Sequence, residues 1–189
     1  MLNRIRYLNM REFDKVLNHY EGNHWTQEYK LARWSYHAHT ISILKRLKLK
    51  KSSEVLEIGT MGAQIVRDSH TLDFPTHSDW EITKHNTFHH DARNIPWPVN
   101  KKYKVIVALR VFQHLTPKQQ EVFEYALDLS QFLIICTDEN YNNPGIPHSK
   151  GISRKEFVDW SKGKSPLLEI VTGKGKLFLF SKTVKSCPF

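Results

Sequence analysis

The sequence has few of the features that mark secreted, disulfide-rich or membrane proteins. Only two cysteines, Cys136 and Cys187, occur among 189 residues, too few for a disulfide framework. No apolar run approaches the roughly 18 residues of a membrane span. Residues 1–13 (MLNRIRYLNMREF) also lack the apolar stretch of a secretory signal. We therefore expect a cytoplasmic protein with no membrane span, in which Cys136 is a small core residue.

Acidic residues are also scarce relative to basic ones. Lysine and arginine number 28 against 19 aspartate and glutamate residues, which gives a formal net charge of +9. Such an excess can attract nucleic acid or an anionic surface. No nucleic-acid-binding motif accompanies the charge, so nucleic acid is an alternative partner. Hydrophobic residues make up 40% of the chain, enough for one folded core.

Two helices are predicted before the first strand, over residues 10–20 and 26–48. The second has an apolar stripe at three- and four-residue spacing, formed by Leu31, Trp34, Ala38, Ile41, Leu44 and Leu47. We expect these helices to form an N-terminal cover over residues 1–50. One compact unit should follow over residues 51–189.

Strands and helices alternate through the rest of the chain. The predicted strands cover residues 54–58, 69–74, 87–90, 103–109 and 131–136, followed by two strands around Gly173-Lys174-Gly175. Thr116 with Gln119, and Ser153 with Glu156, have the spacing of capping boxes that begin helices. This order predicts an α/β fold with a doubly wound, mostly parallel seven-stranded sheet and an antiparallel C-terminal strand.

The most informative stretch is EVLEIGTMGA (residues 54–63), where an apolar run passes into a glycine-containing turn. Ligands bind at the carboxyl ends of strands in open α/β sheets, where the backbone can approach a nucleotide. The Glu57 carboxylate disfavours a phosphate cradle and suits a cationic or hydroxylated nucleoside. The stretch therefore favours S-adenosylmethionine over ATP. A G-x-G-x-x-G fingerprint is missing, which argues against a nicotinamide-dependent oxidoreductase.

Taken with TLDF, HHDAR, YKVIVALRVFQHL and the closing hairpin, this stretch resembles class I S-adenosylmethionine-dependent methyltransferases over about residues 52–183. The resemblance implies a Rossmann-like fold, S-adenosyl-L-methionine as cofactor and S-adenosyl-L-homocysteine as product. Two differences stand out. Met61 occupies a position that is often glycine in the family, and Gln113-His114 replaces the frequent Glu-His pair after strand four.

The resemblance also implies a set of cofactor-binding residues. They are Glu57, Gly59, Thr60, Gly62, Asp73, Asp91, Ala92 and Arg110. Glu57 and Gly59 would lie beside the methionine portion, and Asp91 with Ala92 beside the adenine. The ribose hydroxyls would bind Asp73 or, at the commoner spacing from Gly59, Asp79. Arg110 begins the segment beneath the methyl-donor end.

Histidines are the candidate catalytic bases, because an imidazole titrates near neutral pH. His114 is the first candidate and His148 the second. His148 lies with Tyr141 in the loop after strand five, where an acceptor should approach. No metal site is predicted, because His37 and His39 diverge on a helix.

The preferred function is methyl transfer to a small-molecule or sugar-like acceptor, which the sequence does not identify. Two alternatives stay open, namely an RNA-modifying methyltransferase and a non-catalytic module that keeps the methyltransferase fold. The sequence indicates no oligomeric state.

Overall fold

The computed structural model describes residues 5–21, 26–74, 86–143, 145–146, 149–183 and 188. The helices are α1 (Met10–Glu21), α2 (Gln27–Arg46), α3 (Gln119–Leu129) and α4 (Arg154–Trp160), with short 3-10 helices at Ser52–Glu54 and Phe112–His114. The strands are β1 (Val55–Ile58), β2 (His70–Asp73), β3 (Thr87–His89), β4 (Tyr103–Leu109), β5 (Ser130–Thr137), β6 (Leu168–Thr172) and β7 (Gly175–Phe180).

The seven strands form one sheet in the order β3-β2-β1-β4-β5-β7-β6. Strands β1 to β5 pair in parallel, whereas β7 pairs antiparallel with both β5 and β6. The predicted fold class is therefore confirmed, including the antiparallel strand near the C-terminus. Because β7 runs backwards, its first residues lie beside the end of β5, with Thr137 paired to Lys176. The turn at Gly173 and Lys174 thus lies at the carboxyl edge of the parallel strands.

Each face of the sheet is covered by a different pair of helices. On one face, Phe13 of α1 and Leu44 of α2 join the core formed by Val55 and Val105. On the other face, α3 and α4 pack over a second core. The connection from β1 to β2 (residues 59–69) contains no helix, so α1 and α2 cover that face instead. The domain boundary at residue 50 stays a prediction.

Two local predictions are wrong. Leu31 is 52% exposed, because the buried face of α2 is formed by Tyr36, His37, Thr40, Ile41, Ile43 and Leu44. Thr116 does not cap α3, since the helix begins at Gln119 and its N-cap, Lys118, makes no side-chain cap bond. The Lys118 amide bonds the Leu115 carbonyl at 2.7 Å, which closes a turn ahead of the helix.

The other predicted cap is confirmed. Ser153 and Glu156 form a capping box at the start of α4. None of the helices in the described part of the chain combines the length and apolarity needed to cross a bilayer.

Candidate functional site

A cavity of about 690 Å³ lies at the carboxyl edge of the sheet. It opens where the neighbouring strands β1 and β4 end, the switch point at which ligands bind in such sheets. Its described lining includes eight residues predicted from the sequence, which are Glu57, Gly59, Thr60, Asp91, Ala92, Arg110, His114 and Tyr141. Glu57 and Asp91 thus line one common cavity. His148 and Asp79 lie outside the described residues.

The turn after β1 contains three residues in the left-handed region, Gly59, Met61 and Gly62. Gly59 has φ +63°, and a Cβ placed there would lie 2.6 Å from Cγ2 of Val111. Gly62, which is not among the residues lining the cavity, has φ +79°. Met61 also adopts a left-handed conformation, with φ +47°. The turn therefore keeps a glycine-type shape at a position where the chain has methionine.

Glu57 binds the segment that follows this turn. Its carboxylate accepts hydrogen bonds from the amides of Ile65 (2.7 Å) and Val66 (2.8 Å) and from the Ser69 hydroxyl (2.7 Å). Burial raises the pKa of Glu57 to about 7, although the three hydrogen bonds act in the opposite direction. The carboxylate thus holds residues 65–69 against β1, and its contact with a cofactor stays a prediction.

Asp73 holds the other side of the same turn. The side chain is buried, and its carboxylate accepts hydrogen bonds from the Thr60 hydroxyl (2.9 Å) and the Met61 amide (3.4 Å). Asp73 is not among the described residues that line the cavity. Its predicted role as the ribose acceptor is untested by this arrangement.

Asp91 is bound by its neighbour Arg93. Both carboxylate oxygens accept from the Arg93 Nε at 3.0 Å, and Nη2 donates at 2.6 Å. The Arg93 amide adds a fourth bond, at 2.9 Å. The hydrogen bonds from Arg93 hold the pKa of Asp91 below its ordinary value. Since a carboxylate offers about four acceptor positions, an adenine amine at this site would have to compete with Arg93.

Arg110 connects the end of β4 to the hairpin turn. Its Nη1 donates to the Lys174 carbonyl at 2.8 Å, and it lies 3.6 Å from the Asp138 carboxylate. Its guanidinium lies over the Tyr141 ring, 5.3 Å from the centroid. The residue adopts φ +64°, a strained conformation of the kind found at functional sites.

His114 lies on the 3-10 helix beyond Arg110. Burial, and then the positive charge of Arg110, lower the pKa of His114 from its ordinary value of 6.5. The imidazole is therefore mostly neutral at neutral pH and can accept a proton.

Several lining residues were not predicted from the sequence. They include Tyr29, Arg33, Tyr36 and His37 of α2, and Lys174 in the hairpin turn. The position of Lys174 could have been predicted from the sequence. It lies in the turn before the antiparallel strand, and such a turn lies at the carboxyl edge of the parallel strands. No pattern in α2 distinguishes its cavity-lining residues from other partly buried ones.

No protein-family model matches the sequence, and no curated protein does either. Several solved structures are similar in three dimensions. The fold resembles that of magnesium protoporphyrin IX methyltransferase (ChlM) from Synechocystis PCC 6803, solved with bound SAH. The TM-score is 0.64 and the identity 10%, over 90% of this chain and 94% of that chain.

A S-adenosylmethionine-dependent methyltransferase from Clostridium acetobutylicum is similar with a TM-score of 0.55 and 9% identity, over 90% of this chain and 98% of that one. The chain has the class I methyltransferase fold. LepI, solved in complex with SAM, is similar with a TM-score of 0.51 and 11% identity over 74% of this chain. The match spans only 46% of LepI. At such identities the likeness concerns the methyltransferase fold alone.

Proposed function

We propose that this chain binds S-adenosyl-L-methionine and transfers its methyl group to a small-molecule acceptor, releasing S-adenosyl-L-homocysteine. The proposal rests on one cavity, which lies at the carboxyl ends of β1 and β4. That cavity joins the Gly59 turn, the Asp91 segment and the His114 segment. Solved structures of the same fold contain SAM or SAH, which supports the choice of cofactor.

The residues present fit such a cofactor. Glycine at position 59 lets the turn after β1 pack against Val111, because a Cβ there would lie 2.6 Å from Cγ2 of Val111. Gly59 and Thr60 would border the methionine portion, and Ala92 with Asp91 would border the adenine. When bound, the cofactor supplies a methyl group that is already activated by the sulfonium. The protein then contributes mainly alignment of the acceptor.

His114 is the proposed general base. An acceptor hydroxyl or ammonium has to lose a proton, and the neutral imidazole of His114 can take it. Burial, and then the charge of Arg110, favour that neutral state. A methyl transfer rate that rises with pH through the His114 pKa and then levels off would agree with this role.

Calorimetric titration with S-adenosylhomocysteine, S-adenosylmethionine, ATP and NADH tests the cofactor directly. We expect only the first two to bind. Gly59→Ala should abolish that binding, because its Cβ would collide with Val111. Gly163→Ala is the matched control, since Gly163 also has a positive φ, +82°, but a Cβ there meets nothing within 4 Å. Binding of NADH or ATP in place of the sulfur nucleosides would overturn the proposal.

Turnover separates an enzyme from a non-catalytic module that keeps the methyltransferase fold. Protein charged with methyl-labelled S-adenosylmethionine is incubated with fractionated small metabolites, and S-adenosylhomocysteine is quantified. Release that depends on one fraction and falls in His114→Gln supports the enzyme. Tight cofactor binding with no release from any fraction supports the module.

An RNA acceptor is the second candidate, favoured by a separate basic groove. Arg6, Lys45, Lys48 and Lys50 line this groove, where the Lys45 ammonium lies 5.6 Å from the centroid of the Tyr7 ring. Binding of RNA that weakens steeply with salt and is lost in a Lys45→Gln, Lys48→Gln double variant would support it. RNA binding that does not change in that variant would count against it.

A further inference from the structure

One side of the cavity carries a basic cluster, defined here as Arg33, Arg110 and Lys174. All three residues line the cavity. They come from three separate elements, which are α2, the end of β4 and the turn between β6 and β7. Their convergence is therefore a product of the fold and not of local sequence.

Two tyrosine rings connect the members of the basic cluster. The Lys174 ammonium lies 4.5 Å from the centroid of the Tyr29 ring, and the Arg33 guanidinium lies 5.9 Å from the same centroid. Arg110 bonds the Lys174 carbonyl and covers the Tyr141 ring, which in turn contacts His114. The cluster thus runs continuously from α2 to the candidate base.

The cluster is held rigidly. The Gly173 amide donates to the Ser35 hydroxyl at 2.9 Å, which fastens the hairpin turn to α2. A Cβ on Gly173 would lie 2.8 Å from the Cα of Ala32, so the turn and the helix are in close contact. The turn that carries Lys174 therefore packs directly against the part of α2 that carries Arg33.

Positive charge exceeds negative charge on this side of the cavity. Among the described lining residues only Glu57 and Asp91 carry carboxylates, and both are held by other groups, as shown above. Asp138 lies 3.6 Å from Arg110. Lys174 has no carboxylate within ion-pair distance in the described part of the chain. Clustered cations in a cavity attract an anion, because each repels the others until a counter-charge binds.

Lys174 is well placed for the acceptor rather than for the cofactor. It precedes β7, which lies three strand positions from β1 in the sheet, and strands are spaced roughly 4.8 Å apart. The glycine turn that would hold the methionine portion follows β1. Resting on the proposed function, we infer that the methyl acceptor is a small anionic molecule. Its carboxylate or phosphate group binds among Lys174, Arg110 and Arg33, with the reacting atom directed toward His114.

The test titrates the protein with four probes that share a benzene ring and differ in charge, namely benzoate, phenyl phosphate, benzyl alcohol and benzylamine. Each is titrated with and without saturating S-adenosylhomocysteine. We expect benzoate or phenyl phosphate to bind and the neutral and cationic probes not to bind. Tighter binding of benzoate would indicate a carboxylate site, and tighter binding of phenyl phosphate would indicate a phosphate site.

Variants locate the site. Lys174→Met should weaken the anionic probe by about tenfold or more while leaving S-adenosylhomocysteine affinity unchanged. Lys176→Met is the matched control on the same hairpin, because Lys176 contacts Glu169 at 3.4 Å and Glu139 at 3.9 Å. It should leave the affinity for every probe unchanged.

Several results would overturn the inference. They are equal binding of benzylamine and benzoate, no effect of Lys174→Met on benzoate, and Lys174-dependent binding of RNA with no binding of any probe. Loss of S-adenosylhomocysteine binding in Lys174→Met would assign the cluster to the cofactor carboxylate and would also overturn it. If the wild-type protein binds benzoate through Lys174 but does not bind S-adenosylhomocysteine, the proposed function fails while the anion site stands.

Discussion

The imidazole of His114 meets the ring of Tyr141 edge to face, with centroids 5.3 Å apart and planes inclined by 85°. Tyr141 is also the ring covered by the Arg110 guanidinium. The candidate base and Arg110 are thus packed against one tyrosine. Burial and the positive charge of Arg110 both lower the pKa of His114.

Removing the charge of Arg110 should raise the pKa of His114. In Arg110→Gln the electrostatic contribution is lost, but burial remains, so the pKa should increase without passing its ordinary value of 6.5. The imidazole carbon-bound protons, followed by NMR against pH, give the value directly.

Arg154→Gln is the control for the His114 titration. Arg154 also forms an ion pair, with Glu169 at 3.0 Å, but on the protein surface. The pKa of His114 should be the same in this control as in the wild type. A pKa that falls or stays constant in Arg110→Gln would contradict the proposed coupling.

Two buried glutamines should respond oppositely to the same substitution. Gln113 is 2% exposed, and its Oε1 finds no hydrogen-bond partner among the described residues. Gln119 donates to the carbonyls of Phe112 and Lys150, both at 3.0 Å. Because a buried unsatisfied group costs about 1–3 kcal/mol, Gln113→Leu should keep or increase the free energy of unfolding. Gln119→Leu should lower it by a similar amount.

Urea denaturation of the ligand-free variants measures this difference. Gln113 also lines the cavity, and we predict that its buried oxygen accepts a hydrogen bond from a bound molecule. Gln113→Leu should therefore weaken S-adenosylhomocysteine or the acceptor probes even though the fold is not weakened. A variant that loses stability as much as Gln119→Leu, with unchanged ligand affinity, would show that Gln113 is structural.

The central strands could be predicted because a strand that is buried on both faces has an almost continuous run of apolar residues. YKVIVAL (residues 103–109) is almost continuously apolar, and β4 has those bounds. The Gly173-Lys174-Gly175 turn similarly indicates a hairpin, which β6 and β7 form. The mostly parallel sheet follows from the alternation of strands and helices, and a ligand site at the carboxyl ends of its strands follows from that sheet.

Side-chain partners could not be predicted in the same way. Helix α2 has apolar residues on more than one side, so periodicity alone could not identify the face that includes His37 and excludes Leu31. Likewise, the sequence places Glu57 and Asp91 at the ends of strands. It does not indicate that backbone amides and Arg93 occupy their oxygens, because those donors come from loops whose paths depend on the whole fold.

Met61 should be a site where glycine stabilises the protein. A non-glycine residue in the left-handed region costs about 1–3 kcal/mol, and Met61 has φ +47°. Glycine also adds freedom to the unfolded chain, which offsets about 0.4–1 kcal/mol of that gain. We expect Met61→Gly to raise the free energy of unfolding by about 1 kcal/mol.

Met61→Ala is the matched control, because it shortens the side chain and keeps the strained backbone. Chemical denaturation of the two variants isolates the effect of φ, since Met61 is a partly exposed side chain that adds little to the core. Equal stability of Met61→Gly and Met61→Ala would mean that the turn is relaxed at this position.

The free energy of unfolding should depend on pH through Glu57, and the direction follows from the burial that raises its pKa. Its pKa in the folded protein is about 7, against an ordinary value of 4.5. Between these values the folded state holds the proton and the unfolded state releases it. The free energy of unfolding should therefore fall as pH rises through this window, by up to about 3 kcal/mol, and change little outside it.

Glu57→Gln cannot titrate, so the difference between wild type and this variant reports Glu57 alone. That difference, from urea denaturation at a series of pH values, should be largest at the acidic end and smallest above neutrality. Ser69→Ala removes one hydrogen bond to the carboxylate and should extend the upper end of the window to higher pH, because that bond favours the charged form. A difference that grows with pH would mean that the amides of Ile65 and Val66 outweigh burial and keep Glu57 ionised beneath the glycine turn.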